Sequence, residues 1–381
     1  MSAPAPRRRF RMNVRGWVFL VLVLAVGAAA LAKGNNLLFF AFASLAGLFT
    51  ISLILTWLGG RGIEVGRLAP DDARAAEPFA VTLRIRNARR LLPAFALRFE
   101  DTIAHEGAAA RIQPPPVLLP SARAGERVRG SYSAVVLDRG PARLGPVRMT
   151  VEFPPGFATA EVTLPVEDEV LVLPRRGTLL RRAVVSMLSR VEACDLASVP
   201  RVAGDDEFAG VREYRPGDSP RRIHWKMSAR VPGRLLVREF EPSRARRAVV
   251  LLDTCVPNPH DARRRLRLER AVSFCAALVE ELLAEGYSAG FRAFGPEYVS
   301  MAIEPRRGAL RDLEAALALL RSTRNRPLHE LLAMQDPAAG EVYFVLRLGD
   351  EEPPPWAGAE RAVALGPAEM RAAMRFEGDG E

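Results

Sequence analysis

The sequence predicts a membrane-anchored α+β multidomain protein: a two-helix transmembrane hairpin, an antiparallel β-sandwich-like domain, and a C-terminal open α/β sheet. Three observations predict it. The first 60 residues hold no Asp or Glu and contain two long apolar runs. From Gly62 to Leu173, apolar residues recur with period two between Pro and Gly positions. From Arg247 onward, strand-like apolar runs alternate with amphipathic helical ones. A chain of 381 residues is long enough for two or three cores of ordinary size.

The apolar runs extend from Trp17 to Ala32 and from Leu37 to Leu58. The second, at 22 residues, spans a hydrocarbon layer of about 30 Å. Lys33-Gly34-Asn35-Asn36 between them suits a tight turn. A signal peptide is the alternative reading of the first run, but no small-residue cleavage site is evident and a second span follows at once. Arg7, Arg8, Arg9, Arg11 and Arg15 precede the first run, the turn carries only Lys33, and Arg61 follows the second. This asymmetry places both termini of a two-pass cell-membrane protein in the cytoplasm. The expected boundaries are a basic tail over 1–15, the hairpin over 16–60, a β-rich domain over 62–173, a connecting segment over 174–246 and the α/β domain over 247–375.

The net charge of +10 does not predict nucleic-acid binding. Removing the first 60 residues leaves 48 basic against 44 acidic residues. Much of the basicity is therefore a topology signal, with anionic membrane lipid as its natural partner. Cys194, Cys255 and Cys275 are odd in number and widely spaced, which suits a reducing compartment.

In the β-rich part, Phe79, Val81, Leu83 and Ile85 alternate with smaller or polar neighbours. So do Phe95, Leu97 and Phe99, and again Val147, Met149, Val151 and Phe153. His105 reads as a solvated loop residue. In the last part, Ala248–Leu252 is a continuous apolar run ending in Asp253, as in a buried parallel strand. Leu268, Val272, Cys275, Val279 and Leu282 share one helix face. Strands over 287–294 and 298–303 meet at Gly295-Pro296. A helix marked by Leu310, Leu313, Leu317 and Leu320 follows, then strands over 341–346 and 361–365. Such alternation implies an open sheet with helices on both faces. Residues 377–381 read as a frayed end.

Between the two regions lies the stretch Phe208–Arg230. Pro216-Gly217 fits the centre of a type II turn. Asp218 or Ser219 can cap a helix with Pro220 at its first position. On that helix Arg221 and Trp225, and Arg222 and Lys226, stand four apart. Arg234–Phe240 reads as a strand.

This stretch resembles the signature of the family known as domain of unknown function fifty-eight. Gly210, Arg212, Glu213, Tyr214, Gly217, Asp218, Arg221, Ile223, Trp225, Ser228, Ala229 and Arg230 fall at the family's spacing. The order of anchor, β-domain, signature and von Willebrand factor A-like domain resembles it too. Phe153-Pro154-Pro155-Gly156-Phe157 departs from the Pro-Phe-Gly-Leu turn usual in relatives. The resemblance implies a membrane protein working with a MoxR-type AAA+ ATPase in assembly or maturation of other proteins, with no established enzymatic activity.

A von Willebrand A-like domain would carry Asp-x-Ser-x-Ser after its first strand, oxygen donors suited to Mg²⁺. Here the stretch is Asp253-Thr254-Cys255-Val256-Pro257, so only Asp253 and Thr254 survive of a degenerate site, with Asp350 as a further acid. Neither metal nor cofactor is expected. His224, Asp218 and Cys255 invite a nucleophile–base reading, yet no elbow glycines frame a nucleophile, and no catalysis is expected. The charges of the signature either pair internally or form a docking surface. For the latter the candidates are Arg212, Glu213, Tyr214, Asp218, Arg221, Arg222, Trp225, Lys226 and Arg230. The leading expectation is a non-catalytic scaffold or adaptor for a cytoplasmic protein partner; the alternative is a metal-dependent ligand-binding receptor.

Overall fold

The computed structural model describes residues 6–105, 112–198, 207–214, 223–230, 234–241, 247–304, 306, 308–336, 341–353 and 355–376. The chain divides into two compact units, Met1–Arg175 and Arg176–Glu381.

In the first unit, the apolar runs form helices Val14–Lys33 and Asn36–Gly59, both long and apolar enough to cross a membrane. Gly34 closes the first helix in the left-handed region at φ 56°, where a Cβ is disfavoured, and its N–H bonds Ala30 O. The Asn35 side chain accepts from Leu37 N at 2.8 Å and caps the second helix.

The β-domain has three sheets sharing one core. Ile63–Leu68, Pro78–Asn87 and Arg127–Val135 form an antiparallel sheet. The order Arg7–Met12, Ala158–Leu164, Val147–Val151, Ala94–Glu100, Val117–Ala122 makes a second, also antiparallel. The third runs Asp72–Arg74, Asp168–Leu173, Gly140–Leu144, Ile103–His105, and its first pair is parallel. Val81, Leu83, Leu97, Phe99, Ile103, Leu144 and Met149 are fully enclosed in the shared core.

Two expectations are corrected here. His105 is not a solvated loop residue: it ends a strand paired with Gly140–Leu144 and is 8% exposed. The basic tail is in part a strand, because Arg7–Met12 completes the edge of the second sheet against Ala158–Leu164.

That strand leads into the first apolar helix, which the domain grips. Asn13 N donates to Phe157 O at 2.9 Å, and Asn13 Nδ2 donates to Gly156 O at 3.1 Å. Phe157 is buried, stacking on Phe19 at 4.3 Å between ring centroids and lying 5.3 Å from Phe49. The Pro-Pro-Gly-Phe turn thus places one aromatic ring against both apolar helices. A buried Arg67 fixes the domain's interior. Its guanidinium donates to both oxygens of Asp101, at 2.8 and 3.0 Å, and to Asp168 at 2.9 Å, while Tyr132 OH donates to Asp101 at 2.6 Å.

The second unit is built on a five-stranded sheet ordered Tyr298–Ile303, Ser288–Phe294, Arg247–Leu252, Val342–Leu346, Ala362–Leu365. All pairs are parallel except the Tyr298–Ile303 edge. Ala248, Val250 and Leu252 face the core under helices Ala262–Ala284 and Ala309–Leu319; Val249 and Leu251 face Leu331, Leu332 and Tyr343 on the other side. Burial on both faces is why this strand is continuously apolar. The second face is covered, among the described residues, by the short helix Leu328–Ala333 and Trp356. Several elements of this unit went unread in the sequence. Helix Arg181–Ser198 puts Val184 and Met187 into the main core, and Gly177–Leu179 pairs with Met374–Phe376.

Candidate functional site

The signature folds as a hairpin, Glu207–Glu213 against Leu236–Glu241, with a register shift between Phe208 and Gly210. A second layer of backbone bonds ties the rest to the same strand. Tyr214 N donates to Leu235 O and His224 N to Leu236 O, both at 2.7 Å. Ile223 bridges to Val237, and both side chains are buried. A single helical turn, Trp225–Ser228, follows. Pro220, the expected first position of the helix, lies outside the described residues; the described turn has His224 as its N-cap, with Nδ1 accepting from Met227 N at 3.3 Å. Ser228 Oγ accepts from Leu236 N at 2.8 Å.

With its backbone satisfied inward, the turn presents side chains outward. Trp225 is 64% exposed, and Met227, Leu235, Lys226 and Arg230 are exposed beside it. Tyr214 is half-buried. Glu213 pairs with Arg234 at 3.2 Å, an exposed bridge contributing about 0–1 kcal/mol. Among the described residues the hairpin is held by main-chain bonds, with the Glu213–Arg234 pair on its exposed side. Arg212 pairs through its backbone with Val237. The Arg212 side chain, and Asp218, Arg221 and Arg222 entirely, lie outside the described residues, as do the Pro216-Gly217 turn and 377–381.

The second candidate is the crevice at the carboxyl end of the parallel strands. From Arg247–Leu252 the chain crosses to Ser288–Phe294 on one side, while Val342–Leu346 pairs on the other, so Asp253 emerges at the topological switch point. Asp253 is 5% exposed. Its Oδ1 accepts from Cys255 N at 2.9 Å and its Oδ2 from Leu348 N at 3.3 Å, with Arg264 Nη2 3.8 Å from Oδ2. Burial pushes the carboxyl above its ordinary range, and the two N–H groups and Arg264 pull it partly back. Thr254 Oγ1 donates to Phe294 O at 2.6 Å. Arg264 Nε donates to Cys255 O at 2.8 Å. Asp350 is exposed and pairs with Arg267 at 3.2 Å.

These donors do not fit a divalent cation. Asp253 brings a single buried carboxylate, and its neighbouring charge is the Arg264 guanidinium 3.8 Å away, which repels a cation. No group of three His, Cys, Asp or Glu able to hold a metal occurs among the described residues. Cys255 is buried, and its thiol is pushed up by burial and by Asp253, away from the thiolate a nucleophile needs. Cys275 is buried in the helix face expected for it.

A pair of apolar helices, a β-domain and an open α/β sheet preceded by a signature hairpin define the class. Residues 210–340, which hold most of that hairpin and the first three strands of the sheet, match the family described as "Protein of unknown function DUF58". The chain is similar to the "Uncharacterized protein YeaD" of Bacillus subtilis (strain 168), at 25% identity over 302 residues, 76% of this chain and 71% of that one. Among solved structures, the CARDB domain of a Pyrococcus furiosus protein matches 29% of this chain and 87% of its own length, at 12% identity and TM-score 0.21. A superoxide reductase (neelaredoxin) from Ignicoccus hospitalis matches 29% of this chain and 81% of its own, at 13% identity and TM-score 0.21. Likenesses at that TM-score define neither fold nor function for this chain.

Proposed function

We propose that this protein is a non-catalytic, membrane-anchored scaffold or adaptor of the fifty-eight family, with both termini in the cytoplasm. Its α/β unit is a degenerate von Willebrand factor A-like domain. Its partner is a cytoplasmic protein, a MoxR-type AAA+ ATPase being the expected class, and the pair acts in assembly or maturation of other proteins. The observation that carries the docking role is the exposed Trp225 on a turn whose backbone is fixed to strand Leu236–Glu241. An aromatic presented rigidly among Met227, Leu235 and Lys226 is the composition of an interface anchor, and large exposed apolar groups gathered on one turn favour a covered surface.

The experiment is capture of the ATPase from crosslinked native membranes by the full chain and by Trp225→Ala and Lys226→Glu variants. Orientation is tested by a reporter fused after Glu381; activity only outside the cytoplasm contradicts it. The receptor alternative is tested by titrating Mg²⁺ into the solubilised full chain in a calorimeter. Saturable heat that Asp253→Ala abolishes would favour it.

A further inference from the structure

The end of the β-domain that meets the helical hairpin carries apolar side chains that the protein leaves uncovered. Leu91 is 89% exposed, and Leu92, Phe95 and Leu118 are exposed as well. Their height along the hairpin is fixed by Arg89. Its Nε donates to Arg61 O and its Nη2 to Gly59 O, both at 2.6 Å, so a cation closes the carboxyl end of the second apolar helix. Leu92, Pro93, Phe95 and Phe153 line a small cleft with Leu55, Leu58 and Gly59. Leu92 therefore stands level with that helix's last turns. Trp57 lies on the same stretch with the Arg61 guanidinium 3.4 Å from its ring centroid, the pairing of aromatic and cation found at a membrane–water boundary.

The same rim continues across the sheet. Leu118, opposite Arg98 in the register, lines a groove of ≈ 490 Å³ with Arg15, Arg98 and the Pro154-Pro155-Gly156 turn. Arg15 sits in the first turn of the first apolar helix. The groove and the 89–93 loop thus lie at the two helix ends on the domain side, where headgroups would be.

We propose that the loop Arg89–Pro93 inserts into the lipid leaflet beside the hairpin. Leu91 and Leu92 enter the acyl boundary, and Arg90 and Arg15 meet headgroup phosphates. The occupant is phospholipid rather than a protein because the exposed leucines continue an apolar surface that already belongs to the helices, and arginines flank them. This rests on the reading that the hairpin spans a membrane. The insertion gives the β-domain a third membrane contact, so its attitude toward the bilayer is fixed by more than the two helices.

The test uses the full chain, in a Cys194→Ser background, in nanodiscs of phosphatidylcholine and phosphatidylglycerol. An environment-sensitive fluorophore is attached at Leu91→Cys, Leu24→Cys or Leu137→Cys. Leu24 is exposed on the first apolar helix. Leu137 is 73% exposed but lies beyond Val135, which pairs with Pro78 at the sheet end opposite Asn87, about 30 Å away at the usual rise per strand residue. The expected result is emission shifted to the blue and quenched several-fold by spin-labelled lipid at Leu91 and Leu24, and neither effect at Leu137. Leu91 behaving like Leu137 while Leu24 is quenched would overturn the insertion and leave the spanning reading in place. Leu24 and Leu91 both unquenched would overturn the two together. A blue shift at Leu91 without lipid quenching would report protein cover and also overturn it.

Discussion

Ser228 grips Leu236 on both sides of one residue: its hydroxyl accepts from Leu236 N at 2.8 Å and is placed to donate to Leu236 O at 3.4 Å. The turn that carries Trp225 is thereby fastened to the strand beneath it. Ser228→Ala leaves the Leu236 amide without that acceptor, a loss of about 1–3 kcal/mol if no other group replaces it. The expected outcome is faster hydrogen exchange at Leu236 with little change in the global melting temperature. Unchanged exchange would mean the turn is held by its main-chain bonds alone.

Asp253 gives a pH signature. Its folded pKa lies above its unfolded one, because burial outweighs the two N–H groups and Arg264. The native state therefore holds the proton more tightly. The stability tied to this carboxyl is fully present below the unfolded value, about 3.9, and is lost as pH rises through the folded value. Denaturant unfolding of wild type against Asp253→Asn should show the wild type losing ground as pH rises from about 4. Arg264→Met removes the counter-charge and should carry that loss to higher pH. Parallel curves across the range would contradict the assignment.

Arg67 and Asp101 have fully buried side chains, and each depends on the other. Removing one partner leaves an uncompensated charge in the β-domain core, so Arg67→Met or Asp101→Ala should cost about 3–5 kcal/mol. Tyr132→Phe deletes one donor to Asp101 and should cost about 1–2 kcal/mol. Arg143→Gln breaks only an exposed pair with Glu169 and should stay within about 0.5 kcal/mol of wild type. Chemical unfolding of the solubilised protein orders the four variants.

Phe157 joins the β-domain to the hairpin, and Gly16 makes the room for it. A Cβ on Gly16 would collide with the Phe157 carbonyl oxygen, whereas one on Gly47 meets nothing within 4 Å. Gly16→Val and Phe157→Ala should both lower the thermal stability of the detergent-solubilised chain, the latter by about 3–5 kcal/mol in the manner of a lost core aromatic. Gly47→Ala should be neutral or slightly stabilising. Equal melting of all three would show that the packing at Phe157 holds nothing together.

Much of this was legible in the residues. The alternation at Phe79–Ile85 and the apolar run Ala248–Leu252 are strands, since each pattern reports directly which faces are buried. The Arg7–Met12 strand was hidden because RRRFRM has no period of two; its pairing comes from a neighbour about 150 residues away. His105 was misread for a related reason: a three-residue strand is too short to show a period, and its burial is supplied by the sheet around it. At the candidate site, Trp225 and Lys226 were legible as docking candidates, but which face of the segment is exposed comes only from the fold. Met227 and Leu235 were missed, because apolar residues carry no sign in the sequence that the fold leaves them exposed. Which guanidinium stands beside Asp253 was not legible. Arg264 precedes the expected apolar face, and only the fold returns it to the strand end.

The most direct test of the scaffold reading is recovery of a AAA+ ATPase with the tagged full-length protein from crosslinked native membranes, with and without ATP. The account predicts that the ATPase is recovered with wild type and lost with Trp225→Ala and with Lys226→Glu, while both variants keep wild-type membrane levels. Recovery undiminished by either variant would contradict the docking surface, and absence of any such ATPase under both conditions would contradict the adaptor function itself.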